Sequence, residues 1–287
     1  MCIIEAGCNL KGQRFAVAII DNEDEGAIYR DWTDDLRICL KFLTRIPLPS
    51  GRGVDAGADA GAEMLPLAPA TRFFPVIGMI VGAIGALILM AADWAGLPSA
   101  VSALLALAAI AITTGGLHED GLADTADGIG GGPSRLGRLE IMSDSRIGAF
   151  GVLALIFAVG LKTVGLAALG AGDAALTLFA AAAASRGFLP LFMRYMPNAK
   201  EDGLSVAAGR PEFNPVAIAA VIAAAVMLLS FGFWISLGAI VILGLVAGAM
   251  AYWVMRMLGG QTGDVLGAFQ QVSEVTIILA VAAAGSG

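Results

Sequence analysis

Apolar residues run through this chain in long blocks separated by two kinds of connection. Six blocks, at 73–92, 98–117, 147–170, 172–193, 215–233 and 235–257, approach the ~20 residues that a helix needs to cross hydrocarbon. A seventh candidate, 264–284, is interrupted by Asp264 and Glu274, and its continuous apolar part is only 275–284. The connections alternate in character. Those at 93–97, 171–173 and 231–236 are short and carry no Lys or Arg. The others are long and basic. Arg30, Arg37, Lys41, Arg45, Arg52 and Arg72 precede the first block, and Arg135, Arg138 and Arg146 lie between the second and third. Arg194, Lys200 and Arg210 lie between the fourth and fifth, and Arg256 closes the sixth. Six spans place every basic connection on one side, and the excess of positive charge on short cytoplasmic loops makes that side the cytoplasmic one. The pattern therefore predicts an all-α, polytopic membrane helix bundle with six spans and a candidate seventh.

Composition agrees with the pattern. The 287 residues are 58% hydrophobic and 14% charged, where a soluble domain carries roughly a quarter charged residues. Mean hydropathy is +0.82. A net charge of −7 argues against a nucleic-acid partner and leaves the lipid bilayer as the expected surroundings. The three cysteines, Cys2, Cys8 and Cys39, form no CxxC pair, and His118 is the only histidine, so neither a disulfide framework nor a multi-histidine metal site is expected. Residues 15–20 are too short an apolar stretch for a cleavable signal, and an acidic run follows them. Residues 1–28 read as a poorly specified N-terminal extension.

The chemistry lies in the basic-side connections. Residues 115–132 read Gly-Gly-Leu-His-Glu-Asp-Gly-Leu-Ala-Asp-Thr-Ala-Asp-Gly-Ile-Gly-Gly-Gly, a loop between the second and third spans. Asp120, Asp124 and Asp127 are spaced i, i+4, i+7 and would share one face of a helix, with Glu119 alongside. Like charges so placed repel unless a cation lies among them, and oxygen ligands alone suit Mg²⁺ or Mn²⁺. His118 is a candidate general base, phosphate contact or helix cap. Further along, Ser143, Asp144 and Ser145 are positioned to cap the third span, and Arg146 beside that helix N-terminus suits a phosphate. The segment 33–42 reads as an interfacial helix, with Arg45 fixed beside prolines at the membrane surface. A second Gly-rich loop, 259–268, carries Asp264, and with Glu274 it is a candidate for further metal or nucleotide contacts. Lys162 and Arg186 lie inside spans. Lys162 is expected to snorkel, and Arg186 to reach an anionic substrate from below.

Several of these segments together resemble the cobalamin synthase family, the adenosylcobinamide-GDP ribazoletransferases. The matching pieces are Phe-Leu-Thr-Arg-Ile-Pro-Leu-Pro at 42–49, Phe-Pro-Val-Ile-Gly at 74–78, Gly-Leu-His-Glu-Asp-Gly-Leu-Ala-Asp-Thr-Ala-Asp-Gly at 116–128, Ile-Met-Ser-Asp-Ser-Arg-Ile-Gly at 141–148 and Gly-Gln-Thr-Gly-Asp-Val-Leu-Gly-Ala at 260–268. The chain departs from the family in its longer start and in Ser143, which stands where the family pattern has Lys. The resemblance implies one integral-membrane transferase domain over 29–287 in the bacterial inner membrane, with its active loops cytoplasmic. It further implies Mg²⁺-dependent transfer of a substituted phosphate group. Adenosylcobinamide-GDP would be joined to α-ribazole or its 5′-phosphate, GMP would be released, and adenosylcobalamin or its 5′-phosphate would form. On this reading Asp120, Asp124, Asp127 and His118 carry the catalysis, and Glu119, Asp120, Asp124 and Asp127 hold the metal. Arg45, Ser145, Arg146, Arg186 and Asp264 contact substrate phosphates. CDP-alcohol phosphatidyltransferases also cluster aspartates, but after Asp120-Gly-Leu-Ala this chain has Asp124 where their motif has Arg. A transporter would place its charges at the midplane, not in loops on one face. Whether the bundle forms a homo-oligomer, and whether 264–284 spans, the sequence leaves open.

Overall fold

A computed structural model describes residues 32–48 and 67–285; the extension expected at 1–28 lies outside the described residues. Thr33–Gly287 form one unit. Its first helix, α1 (Trp32–Leu43), buries Asp35, Cys39 and Leu43 at i, i+4, i+8, the single stripe of an interfacial helix. Two polar contacts fasten that stripe. Asp35 accepts a hydrogen bond from Arg72 at 2.5 Å, and the Cys39 thiol donates to the Ala70 carbonyl. Both partners belong to a 3₁₀ turn, Ala68–Phe73, that leads into the first span.

The spans are α2 (Phe74–Trp94), α3 (Ser99–Thr114), α6 (Ala149–Ala167), α7 (Ala171–Gly187), α10 (Phe213–Leu258) and α11 (Gly263–Gly285). Shorter helices α4 (Leu117–Gly131), α5 (Arg135–Ile141), α8 (Leu189–Tyr195) and α9 (Leu204–Ala208) fill the basic connections. Among the described residues, five of these helices, all but the 16-residue α3, are long and apolar enough to cross a membrane, and α3 reaches that measure only together with α4 across a 92° bend. Large apolar side chains stand open on their outer surfaces, including Ile112, Phe157, Leu229 and Leu245. In water such a surface would drive association; in lipid it is the contact surface. Trp94 and Trp234, 91% and 80% exposed, lie at the ends away from the basic connections, where interfacial aromatics belong.

The structure shortens the second span, completes the seventh candidate and joins the fifth and sixth blocks. The second span, expected over 98–117, ends at Thr114 after 16 residues, about 24 Å of helix. The seventh candidate is a 23-residue helix, and it is among the most enclosed. Its polar residues Gln270, Gln271, Ser273 and Glu274 face inward, so the polarity that interrupts the hydropathy pattern is internal. The fifth and sixth blocks form one run of 46 residues broken only at Gly232, whose φ of 71° and ψ of −179° are non-helical. Run straight, that length would separate its ends by about 70 Å. Yet Pro211, just before it, accepts from Arg194, and Gln261, just after it, exchanges backbone hydrogen bonds with Pro197 and Ala199. Both ends therefore meet the same short segment, and α10 doubles back at Gly232 as the two expected spans. Ser236 closes the turn by donating to the Met227 and Gly232 carbonyls.

The bundle centre is built from small residues. All of Ala180 to Ala184 on α7 are fully buried, and α2 lies against them. A Cβ on Gly78 would stand 2.3 Å from the Ala182 carbonyl oxygen. Such backbone-to-backbone approach replaces the hydrophobic drive that lipid cannot supply. On the basic face, Arg135 donates to the carbonyls of Leu258 and Ala199 and Arg138 to Met257, so cations cap the C-terminus of α10.

Gly78→Ala is expected to lower stability by about 1–3 kcal/mol through overpacking against α7. Gly160→Ala, with nothing near the added methyl, is expected to leave stability unchanged or slightly raised. Thermal unfolding of the purified variants in one detergent compares them, and equal melting temperatures would contradict the close crossing.

Candidate active site

The acidic segment expected as a loop is the 15-residue helix α4. Gly115 and Gly116 both adopt left-handed angles, φ 67° and 70°, and turn the chain through 92° between α3 and α4. Glu119 and Asp120 in the first turn of α4 complement its dipole. The helix then crosses α11 at glycine on glycine. A Cβ on Gly121 would stand 2.6 Å from the Asp264 carbonyl oxygen, and one on Gly267 would stand 3.2 Å from the Gly121 Cα. This crossing brings Asp264 beside the acids of α4.

The acids of α4 divide by direction. Asp127 turns to the next span: its carboxylate accepts from the backbone N–H of Gly148 at 2.7 Å and of Gly151 at 2.8 Å. It is the cap of α6, the part that Ser143, Asp144 and Ser145 were expected to play. Ser143 instead donates to the Leu139 carbonyl and accepts from Lys200, so a lysine from another connection reaches this position. Asp144 pairs with Arg146 at 2.6 Å, and the guanidinium beside it holds the exposed Asp144 carboxyl below its usual range. Arg146 and Ser145 stay on the exposed loop, and the helix N-terminus behind them is taken by Asp127.

Glu119 turns into the bundle. Its Oε1 accepts from Gln271 Nε2 at 3.0 Å. Gln271 in turn bonds Gln270 and accepts from Lys162 at 2.8 Å. Lys162 and Glu274, 2% and 0% exposed, pair at 3.0 Å, and Arg186, 1% exposed, approaches the other Glu274 oxygen at 3.7 Å. Lys162 therefore does not snorkel. Glu274 and Arg186 engage each other in the interior. Gln270 also donates to Ser185 at 2.9 Å, and sequence reasoning missed Gln270, Gln271 and Ser185 as members of this network. The usable signal was the need of intramembrane Lys162 and Arg186 for an anion at matching depth, which Glu274 supplies.

Asp120 and Asp124 remain, with Asp264. Asp124 is half-buried; burial first, then the charges of Asp120, Asp264 and Asp127, push its carboxyl from 3.8 up to about 6. Among the described residues, no three His, Cys, Asp or Glu side chains converge as a ready-made metal cage. Mg²⁺ does not require one, since it commonly takes one or two carboxylates and fills its shell with water and substrate phosphate. The mutually repelling pair Asp120 and Asp124 fits that pattern. Arg45 is also brought here: its backbone N–H donates to the Thr113 carbonyl, and its side chain packs over Gly115 at the start of α4.

Asp120 and Asp264 also line a cavity of about 220 Å³ whose walls include Phe42, Phe74, Met193 and Leu266. His118 borders it, 3% exposed, and its Nδ1 has no hydrogen-bond partner. Burial, reinforced by Arg186 and Lys162, lowers its proton affinity well below the ordinary value, so the imidazole is neutral. Leu204, Ser205 and Ala208 close the cavity from α9, for which the sequence carried no signal.

Fold and site together define an integral-membrane helix bundle with a carboxylate-lined pocket on its basic face. The chain belongs to the family described as cobalamin-5-phosphate synthase, whose profile matches residues 35–282. It is 45% identical over 250 residues to the adenosylcobinamide-GDP ribazoletransferase of Bradyrhizobium diazoefficiens, covering 87% of this chain and 93% of that one. The protein of the same name from Mesorhizobium japonicum is 44% identical over 260 residues, covering 89% and 95%. That of Brucella anthropi is 40% identical over 248 residues, covering 83% and 92%. No solved structure matches the chain.

Removing the shared anion of the buried network strands two cations. Glu274→Gln is expected to cost about 3–5 kcal/mol. Adding Lys162→Met to that variant should recover part of the loss, because one stranded charge is then gone. Unfolding of both variants in detergent measures the difference, and full stability of the single variant would contradict the pairing.

Proposed function

We propose that this chain catalyses the reaction for which its relatives are named, transfer of an adenosylcobinamide phosphate from adenosylcobinamide-GDP to α-ribazole or its 5′-phosphate, with release of GMP. The observation that carries the reading is that Asp120 and Asp264, from two separate helices, line one cavity on the basic face and that their charges act on Asp124. That face is the cytoplasmic side of the bacterial inner membrane on this reading, by the distribution of Lys and Arg.

The ribose hydroxyl of the acceptor attacks the cobinamide-bound phosphorus. One O–P bond forms, the bond to the bridging oxygen of GMP breaks, and GMP leaves with that oxygen. Displacements of this kind need charge neutralisation and in-line positioning more than covalent catalysis. Asp120 and Asp124 would hold Mg²⁺, and Glu119 and Asp127 serve instead to fix their helix. When bound, the ion supplies neutralisation of the diphosphate and of the departing GMP phosphate. Arg45 pairs with phosphate oxygens from the start of α4. The hydroxyl proton passes to Asp120 or Asp264, the two carboxylates that line the cavity.

Purified protein supplied with adenosylcobinamide-GDP, α-ribazole and Mg²⁺ is expected to release GMP and form adenosylcobalamin, and EDTA is expected to stop both. Asp124→Asn should abolish turnover while keeping the wild-type melting temperature; wild-type activity in that variant would refute its assignment. Asp127→Ala should behave in the opposite way. Loss of the α6 cap costs about 0.5–2 kcal/mol, and below its lowered melting temperature the variant still turns over. Inactivity of folded Asp127→Ala would return that residue to the chemistry.

A further inference from the structure

The cavity between α1, α4, α8, α9 and the start of α11 is divided in character. Of the described residues that line it, only His118, Asp120, Ser205 and Asp264 have polar side chains, and the rest are apolar or glycine. Its volume, about 220 Å³, lies below the ~300–1,000 Å³ of pockets that enclose a whole drug-sized ligand. It can therefore hold one part of a substrate.

The reaction proposed above brings three large groups to this face. A corrin ring with its amide periphery is far too large. A guanine ring presents donors and acceptors along its edges, and burying them unpaired against leucine, phenylalanine and methionine would be costly. The 5,6-dimethylbenzimidazole ring of α-ribazole is flat, bicyclic and apolar, and carries one polar atom, the lone pair of its imine nitrogen. His118 lines the cavity to meet it, and its Nδ1 is buried without a hydrogen-bond partner. An imidazole N–H can donate one hydrogen bond to such a lone pair.

We propose that this cavity seats the benzimidazole ring of the acceptor nucleoside, with His118 donating to its imine nitrogen and the attached ribose facing Asp120 and Asp264. His118 is then a recognition residue. The inference rests on the ribazoletransferase reading.

Two measurements test it on the full-length protein. In the wild type, free 5,6-dimethylbenzimidazole should inhibit GMP release competitively against α-ribazole and not competitively against adenosylcobinamide-GDP. Leu204→Trp, which narrows the cavity from a partly exposed rim position, should raise KM for α-ribazole about tenfold or more, as expected when a hydrophobic pocket is misfitted to its ligand. KM for adenosylcobinamide-GDP should stay within twofold. Absence of GMP release by the wild type would defeat the functional reading itself. With an active wild type, the seat alone is overturned by any of three results: no inhibition by the free ring, competition against adenosylcobinamide-GDP, or an unchanged KM for α-ribazole in a folded Leu204→Trp. Inhibition that tracks detergent concentration and not α-ribazole would assign the cavity to an acyl chain and equally overturn it.

Discussion

A balanced set of charges in the interior is the condition on which the site depends. Lys162 and Arg186 contribute two positive charges, and Glu274 and Glu119 two negative ones, linked through Gln270 and Gln271. Each charge alone would be prohibitive at that depth. Together, with side-chain amides filling the gaps, they join α6, α7, α11 and α4. The functional consequence lies in the last of these. Glu119 on α4 completes the network from outside the spans, so the acidic helix is tied to the bundle by one of its own acids. A helix bearing several carboxylates would otherwise be drawn into water.

The glycine crossing acts on the same helix by shape. The bend at Gly115 and Gly116 sends α4 away from the direction of α3, and Gly121 lets it settle on Gly267 almost backbone to backbone. The network fixes where the helix lies, and the crossing fixes how near. Close approach is what carries Asp264 into reach of Asp120 and Asp124. A longer side chain at either glycine would part the carboxylates without touching one of them, and the distance sensitivity of oriented phosphoryl transfer makes such a change costly.

The bundle was legible because hydropathy and charge report the same thing from two sides: spans are where water is excluded, and basic residues stay where it is not. The hairpin at Gly232 followed from the same pattern. The places where the pattern misleads are physical. α11 reads as weak because a window average cannot tell an inward Glu274 from a lipid-facing one. α4 reads as a loop because its glycines mark flexibility in sequence, whereas Gly121 is there for contact. In the site, the i, i+4, i+7 spacing correctly placed Asp120, Asp124 and Asp127 on one side of a helix. It carried no information on what faces that side. The N-terminus of α6 stands at one end of it and the cavity at the other, and so Asp127 caps while Asp120 lines the pocket. The cavity wall from α9 had no signature, because a five-residue helix has neither periodicity nor motif.

The division among these acids is an economy of preorganisation. On the proposed function, a carboxylate that binds and releases a cation in each cycle is poorly suited to hold its helix in place, since its charge environment changes at every turnover. Here the anchoring falls to Glu119 in the first turn, whose Oε1 is held by Gln271 while its Oε2 is buried without a partner, and to Asp127 near the end, held by two backbone N–H groups. Asp124, between them, is half-buried and pushed up to about 6 by its neighbours, a carboxylate whose own surroundings do not satisfy it. On the proposed function, such a group takes a cation without giving up a protein partner. The anchored acids keep the unsatisfied ones at fixed positions, and that rigidity is what allows a site at the membrane surface, open to water and to bulky substrates, to present its charge in one arrangement.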